Sequence, residues 1–383
     1  MLFIFIPRAN PRITYVFKHI CTRILGVEVT LSSSVEEFVA YSGAKISYAK
    51  QPLGNELFFQ ANGLLERQGV ESIEVIVKPW DETQCFFAVS DKSALPFDIF
   101  SASFYLLSRY EEYLPHVKDA LGRYPAKESL GYKHGFLLQP VVDIWALKFK
   151  RILTENFPDL IFPEKKRTIH TLIEARQPYA YAHKGPLRSL LGYISDLSKF
   201  QFKSIVERTQ VLLRVRRDPF DTFKWIVTSS KKNRSPLTVF FLLGENPTFE
   251  ESINSHRSRF TDLVKFMSDY TQVGLLFSVE SSVKYDMLRH EKRRMESITH
   301  RNLEPAMNAR FRVNLPDIYR DFVELEVKRD YTMVYENTPG FRAGTCTPFL
   351  FYDLDFEIKT PLTVHPIALT TGAYQQKNPE KTL

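Results

Sequence analysis

Acyl-transfer chemistry needs either a nucleophile beside a base or carboxylate and imidazole side chains around a metal ion. The second half of this 383-residue chain holds six histidines, His170, His183, His256, His290, His300 and His365, and no two of them make the i, i+4 pair of a zinc-binding helix. His290 and His300 fall in a basic helical region and read as solvated surface groups. His365 lies on a predicted strand, where a core histidine bonded to backbone and a metal ligand or acid are both open readings. No G-x-S-x-G elbow or phosphate-binding loop occurs, and Gly340 to Gly344 (GFRAG) lacks dinucleotide spacing. Arg342 in that string suits a substrate carboxylate, a sugar oxygen or a structural ion pair. The string SRYEEY (Ser108 to Tyr113) places Arg109, Glu111 and Glu112 on one exposed helix turn, suited to domain docking or to ligand contact. Cys21, Cys85 and Cys346 lie too far apart for a disulfide framework or a cysteine zinc site and read as buried free thiols.

These groups must be carried by an α/β scaffold. In the first 160 residues, MLFIFIP, Val27 to Leu31 and Ile73 to Val77 read as strands, Pro11 to Leu25 has helical apolar spacing, and Ser101 to Leu114 is an amphipathic helix closed by Pro115. A linker is expected at Phe157 to Lys166, where two prolines and a charge run break the pattern. Beyond it, predicted strands Ile169 to Glu174, Leu237 to Leu243, Val273 to Ser278, Met307 to Val313, Tyr331 to Tyr335 and Leu362 to Leu369 alternate with predicted helices. The helices are Leu187 to Val215, Pro219 to Ser230, Ser255 to Tyr270, Val283 to Thr299 and Pro316 to Val327. Such alternation predicts a parallel sheet, open or closed into a barrel, with a site at the C-terminal strand ends. The division is therefore 1–160, an α/β domain; 165–374, a second α/β domain; and 375–383, a polar tail.

With 44% hydrophobic residues the chain can bury a large core, yet its longest apolar runs fall well short of the roughly 18 residues of a membrane span. MLFIFI is followed at once by Pro7 and Arg8, which suits a buried first strand better than a leader and predicts a cytoplasmic protein. The net charge of +7 comes partly from clusters such as Lys231, Lys232 and Arg234, which read as solvated helix faces; no nucleic-acid motif accompanies them.

Longer strings carry a resemblance. LGNELFFQANGLL (Leu53 to Leu65), LPFDIFSASFYLLSRYEEYLP (Leu95 to Pro115), GRYPAKESL (Gly122 to Leu130) and YKHGFLLQPVVDIWA (Tyr132 to Ala146) resemble the uncharacterised domain that precedes a polysaccharide deacetylase domain in a family of Bacteroidota. AYAHKGPLRSL (Ala180 to Leu190), DPFDTF (Asp218 to Phe223), FFLLGE (Phe240 to Glu245), DYTMVYENTPGFRAGTCTPFLFYDL (Asp330 to Leu354) and VHPIAL (Val364 to Leu369) are similar to the same family in the same order. The resemblance implies a distorted, incomplete (β/α) barrel of the deacetylase type, related to carbohydrate esterases with nodulation-type homology, and hydrolysis of N-acetyl groups on sugar polymers with a divalent metal such as zinc.

The implied catalytic positions are altered. The family's Asp-x-Asp pair precedes the Tyr-Ala-Tyr retained as Tyr179, Ala180 and Tyr181, and ungapped counting puts Glu174 and Arg176 there. Arg176 cannot coordinate a metal. Leu276 stands where the family carries histidine, Met307 to Arg310 replaces a further histidine string, and the late Leu-x-His segment has no counterpart. The resemblance thus implies a catalytically silent protein without a metal, binding or regulating the processing of an N-acetylated bacterial polysaccharide. Arg176, Tyr179, Tyr181, Tyr335 and Arg342 are its candidate substrate contacts. Two alternatives stand: an active N-deacetylase using Glu174 and His365 as catalytic groups, with a metal, and a partner subunit docked on an active paralogue or on a second copy.

Overall fold

A computed structural model describes residues 1–166, 168–244 and 258–375; Glu245, His256 and the tail from Gln376 onward lie outside the described residues. The chain forms two compact units, one made of Met1–Lys165, Phe311–Glu324 and Lys328–Leu383, the other of Lys166–Arg310 with Leu325–Val327.

In chain order the first unit begins with β1 (Leu2–Phe5), α1 (Pro11–Phe17), β2 (Val29–Ser32), α2 (Val35–Ala40), β3 (Lys45–Ala49) and β4 (Leu57–Gln60). The hairpin β5 (Lys78–Trp80) and β6 (Thr83–Cys85) follows, then α3 (Ile99–Leu107), α4 (Tyr110–Tyr113), α5 (Leu130–Lys133) and α6 (Val141–Asn156). The second unit runs through β7 (Thr171–Ala175), α7 (Pro186–Ser198), α8 (Phe202–Leu212), α9 (Phe223–Asn233), β8 (Leu237–Leu242), α10 (Ser258–Tyr270), β9 (Gln272–Phe277), α11 (Tyr285–Thr299) and β10 (Pro305–Asn308). The chain then returns to the first unit with α12 (Asp317–Glu324), β11 (Arg329–Asp330), β12 (Phe349–Asp353), β13 (Ile358–Val364) and α13 (Thr371–Gln375).

Both units are α/β. In the first, β2, β1, β3 and β4 form a parallel sheet in that order, and β1 (LFIF) is buried along its whole length. Asn10 caps α1 through a bond from the Ile13 amide, with Pro11 at the first helical position. The chain then widens into a π-helical turn at Lys18–Ile24, which buries His19 with no hydrogen-bond partner on either ring nitrogen. An aromatic core joins α1 and α3 to the late strands: Tyr15 lies 5.1 Å from Tyr352 and Phe104 5.1 Å from Tyr352, centroid to centroid. β13 pairs antiparallel with β12 and parallel with β11.

In the second unit β7, β8, β9 and β10 are parallel neighbours in sequence order, joined by helical crossovers. β8 (LTVFFL) is buried at every position, as a strand covered on both faces must be.

Several expected elements differ. Ile73 to Val77 forms no strand and leaves Ile76 exposed, because β-branched residues favour a sheet only where a partner strand and a core face meet them. Tyr331 to Tyr335 is buried but is not a regular strand, and β11 stops at Asp330. The helix expected at Ser101 to Leu114 starts earlier, capped by Asp98, and breaks at Arg109, which takes φ 53°. That break turns Arg109, Glu111 and Glu112 inward, so the turn expected to be exposed is buried. Leu187 to Val215 divides into α7 and α8 around Phe200 at φ 55°. Cys21 and Cys85 are buried, whereas Cys346 is exposed on a loop.

Candidate functional site

In a parallel α/β sheet the strand C-termini present the side chains that meet a ligand. In the second unit, strand register aligns Leu242 of β8 with Leu276 of β9 and Leu276 with Met307 of β10. All three are buried, and none carries an oxygen or nitrogen donor. The register follows from apolar strands buried on both sides, so this row is a continuation of the core.

Glu174 sits on β7 beside Phe240 of β8, and Arg176 follows one residue past the strand. The Arg176 guanidinium donates through Nε to Glu174 Oε2 at 2.6 Å, and its Nη2 lies 2.5 Å from the same oxygen. Both side chains are partly buried, so the pair is shielded from full solvent screening.

The residues at these strand ends do not fit a divalent ion. A hard cation needs several oxygen or imidazole donors converging on an open position. Here the Glu174 carboxylate accepts from a permanent cation, and the row formed by Leu242, Leu276 and Met307 is aliphatic and thioether. Among the described residues no group of three His, Cys, Asp or Glu converges.

The loop after β7 carries Tyr179 and Tyr181 and is organised by Asp218. Its carboxylate accepts from the amides of Ala180 (2.9 Å), Tyr181 (2.8 Å), Ala182 (2.8 Å) and Phe220 (2.9 Å). A buried carboxylate holding four amides fixes that loop. Tyr179 is packed inside, edge-on to His183 at 4.8 Å, and burial pushes its phenol up to about 12. Tyr181 stays half-buried; its hydroxyl donates to Glu207 at 3.2 Å, and Arg208 lies 4.9 Å from its ring centroid.

One group at the strand ends was missed by sequence reasoning. Glu291 of α11 is buried below β9, where it accepts from Ser278 N (3.0 Å) and Ser278 Oγ (2.5 Å). Ser281 Oγ lies 3.4 Å away as a weaker donor. Burial raises the Glu291 carboxyl above the usual range. With its donors all from one turn, Glu291 braces the exit of β9, and Gly244 after β8 leaves room for it: a Cβ there would come 2.6 Å from Ser278 Cβ. The signal was present in the spacing of Leu288, Glu291, Met295 and Ile298, which puts a carboxylate on the apolar stripe of a basic helix.

The other expected site residues belong to the first unit. Arg342 is buried and gives Nε and Nη2 to the two oxygens of Glu112 at 2.9 and 2.7 Å, while Arg109 Nε donates to Glu112 at 2.8 Å. Arg109 also pairs with Glu111 at 2.7 Å, and Tyr335 lies beneath the Arg342 guanidinium. Arg342 and Tyr335 are thus interior groups and present no face to a substrate: the guanidinium expected to meet a sugar is occupied by Glu112. His365 follows β13, with its amide bonded to Asp330 O at 2.8 Å and its ring stacked on Tyr331 at 4.5 Å.

The structure therefore gathers Glu174, Arg176, Tyr179 and Tyr181 around the end of β7 in one unit, and Tyr335, Arg342 and His365 in the other. Among the described residues no helix is long and apolar enough to cross a membrane. Neither a curated protein nor a solved structure matches the chain. Residues 2–158 match a family of unknown function (DUF7033).

Proposed function

We propose that this chain is a non-hydrolysing relative of the polysaccharide deacetylases, with a barrel of that type in its second half. It would act in the cytoplasm by binding an N-acetylated bacterial glycan or regulating its processing. The observation that carries the reading is the Glu174–Arg176 ion pair, which neutralises the first carboxylate of the strand end beside an aliphatic row. A guanidinium cannot give up its proton to become a ligand or base. Tyr181, half-buried between Glu207 and Arg208, is the aromatic face that remains for a sugar ring.

Acetate release from N-acetylated chitooligosaccharides, with and without added zinc, tests the absence of hydrolysis. Titration calorimetry with the same sugars tests binding. No acetate is expected, and Tyr181→Ala is expected to weaken sugar binding by about tenfold. Metal-dependent acetate release that disappears in Glu174→Ala would instead make the chain an active deacetylase, and a lack of affinity for every N-acetylated glycan tried would remove the binding role.

A further inference from the structure

The helical hairpin α7–α8 is built inside out. On α7 the buried positions are Ser189, Gly192 and Asp196, while Leu187, Leu190, Leu191, Ile194 and Leu197 are exposed on the opposite face. A helix against a protein core shows the reverse pattern. The inner side is held by a salt bridge, Arg208 of α8 to Asp196 of α7 at 2.9 Å, which passes over Gly192. The apolar face continues through Phe200 and through Phe202 and Val206 on α8, and Trp225 on α9 is 70% exposed. Exposed apolar side chains repeated along one helix face in this way mark an interaction site.

Charge indicates what covers it. Residues 184–234 hold twelve Lys and Arg against four Asp and Glu, a surplus of eight, while the whole chain is +7. Everything outside this segment is therefore slightly acidic. Lys199, Lys203, Arg214, Arg217 and Lys224 are all exposed. A second copy of the chain would set these cations against one another, and nucleic acid would leave the leucine stripe in water. A bilayer with anionic headgroups satisfies both features, because an amphipathic helix lying in the interface buries its apolar face in the acyl boundary while flanking cations meet the headgroups. Aromatic residues at the rim suit the same depth.

We propose that α7, α8 and the start of α9 form a peripheral docking surface for an anionic phospholipid bilayer, with Leu187, Leu190, Ile194 and Phe202 as its inserting side chains. The surface lies flat on the membrane and does not span it. This inference is independent of any sugar-binding role.

Co-sedimentation of the full chain with vesicles tests it, using phosphatidylcholine alone and phosphatidylcholine mixed with phosphatidylglycerol. Binding is expected to the mixed vesicles and to fall as salt rises. Leu190→Glu with Ile194→Glu, both at exposed positions, is expected to weaken binding at least about tenfold. Lys203→Glu with Lys224→Glu leaves the apolar face intact and is expected to cost about fivefold or more per site. Circular dichroism melts verify that each variant is folded. Equal binding to both vesicle types, binding indifferent to the apolar pair, or no binding at all overturns the proposal. So does a dimer that the apolar pair dissociates in a protein that ignores lipid, or retention of an oligonucleotide by a protein that ignores vesicles.

Discussion

Glu112 lies between two guanidiniums in the interior of the first unit, and its ionisation decides whether that interior holds. Burial alone pushes its carboxyl up, but Arg342 and Arg109 outweigh this and hold it at about 2. Replacing it by glutamine keeps the shape but removes the carboxylate that Arg342 pairs with and leaves Arg109 to Glu111 alone. Glu112→Gln is expected to destabilise the protein by roughly 3–5 kcal/mol, read from urea midpoints. Because the folded value is depressed, this contribution is present above the ordinary carboxylate range and is lost only as pH falls toward 2. Asp330 works in the opposite sense. It accepts from Tyr319 Oη at 2.6 Å and from the Thr332 amide at 3.1 Å, yet burial pushes it up to about 6. The folded state therefore holds a proton that the unfolded chain releases. The associated stability, on the order of 3 kcal/mol, is present below about pH 4 and is lost as pH rises through 6. Asp330→Asn is expected to flatten that part of the stability profile, and an unchanged slope between pH 4 and 7 would assign the titration elsewhere. At this scale the sequence named candidate residues and left their partners open. Arg342 suited a substrate or an ion pair equally, because its partner Glu112 is 230 residues away and only tertiary closure brings them together. Glu174 and Arg176 are two residues apart, so their pairing was within reach of local reasoning.

Elements follow period and punctuation wherever a core face imposes them. β1, β8 and β9 appear within a residue or so of their apolar runs, since a strand buried on both sides has no other register. Breaks were less legible. Arg109 and Phe200 adopt left-handed backbone without being glycine, and nothing in their side chains announces it. The inverted α7 follows the same logic: its apolar period is plain, but periodicity says only that one face differs from the other, not which face looks inward. Gly192 tests what holds the hairpin. An added Cβ would lie 2.0 Å from Arg208 Nη1, so alanine must push the guanidinium off Asp196. The helix gains about 1 kcal/mol from glycine to alanine, while leaving a largely buried carboxylate unpaired costs about 3 kcal/mol. Gly192→Ala is expected to be destabilising by about 2 kcal/mol on this balance, seen as faster proteolysis within residues 186–212. A more resistant hairpin would mean that propensity outweighs the ion pair.

For the whole molecule, the decisive fact is that the first compact unit is discontinuous. The expected division after residue 160 and the edge of the unit at Lys165 lie close together, but the unit also takes in 311–324 and 328–383. Apolar alternation continues smoothly through residues 305–370 and carries no mark of where the chain leaves one unit for the other. The segment matching the family of unknown function ends at residue 158, so it lacks these late parts. Their loss would take a partner from each of four side chains of the first segment, Arg12, Arg109, Glu112 and Asp143. Arg12 gives Nε to Glu357 at 2.9 Å, and Arg109 and Glu112 enclose Arg342. Asp143 accepts from Thr345 Oγ1 at 2.6 Å, Thr347 Oγ1 at 2.5 Å and the Cys346 amide at 2.9 Å. Stripping partners from several buried polar groups, at up to about 3–5 kcal/mol each, is comparable to the roughly 5–15 kcal/mol that holds a domain together. A fragment ending at Lys165 is therefore expected to show no cooperative urea transition and to bind a hydrophobic dye, whereas co-expression with residues 311–383 restores the transition. A fragment 1–165 that unfolds cooperatively near the midpoint of the full chain would show instead that the parallel sheet β2-β1-β3-β4 and its helices are sufficient by themselves. The late segment would then be an accessory covering, and the Glu112–Arg342 pair a consequence of folding and not one of its conditions.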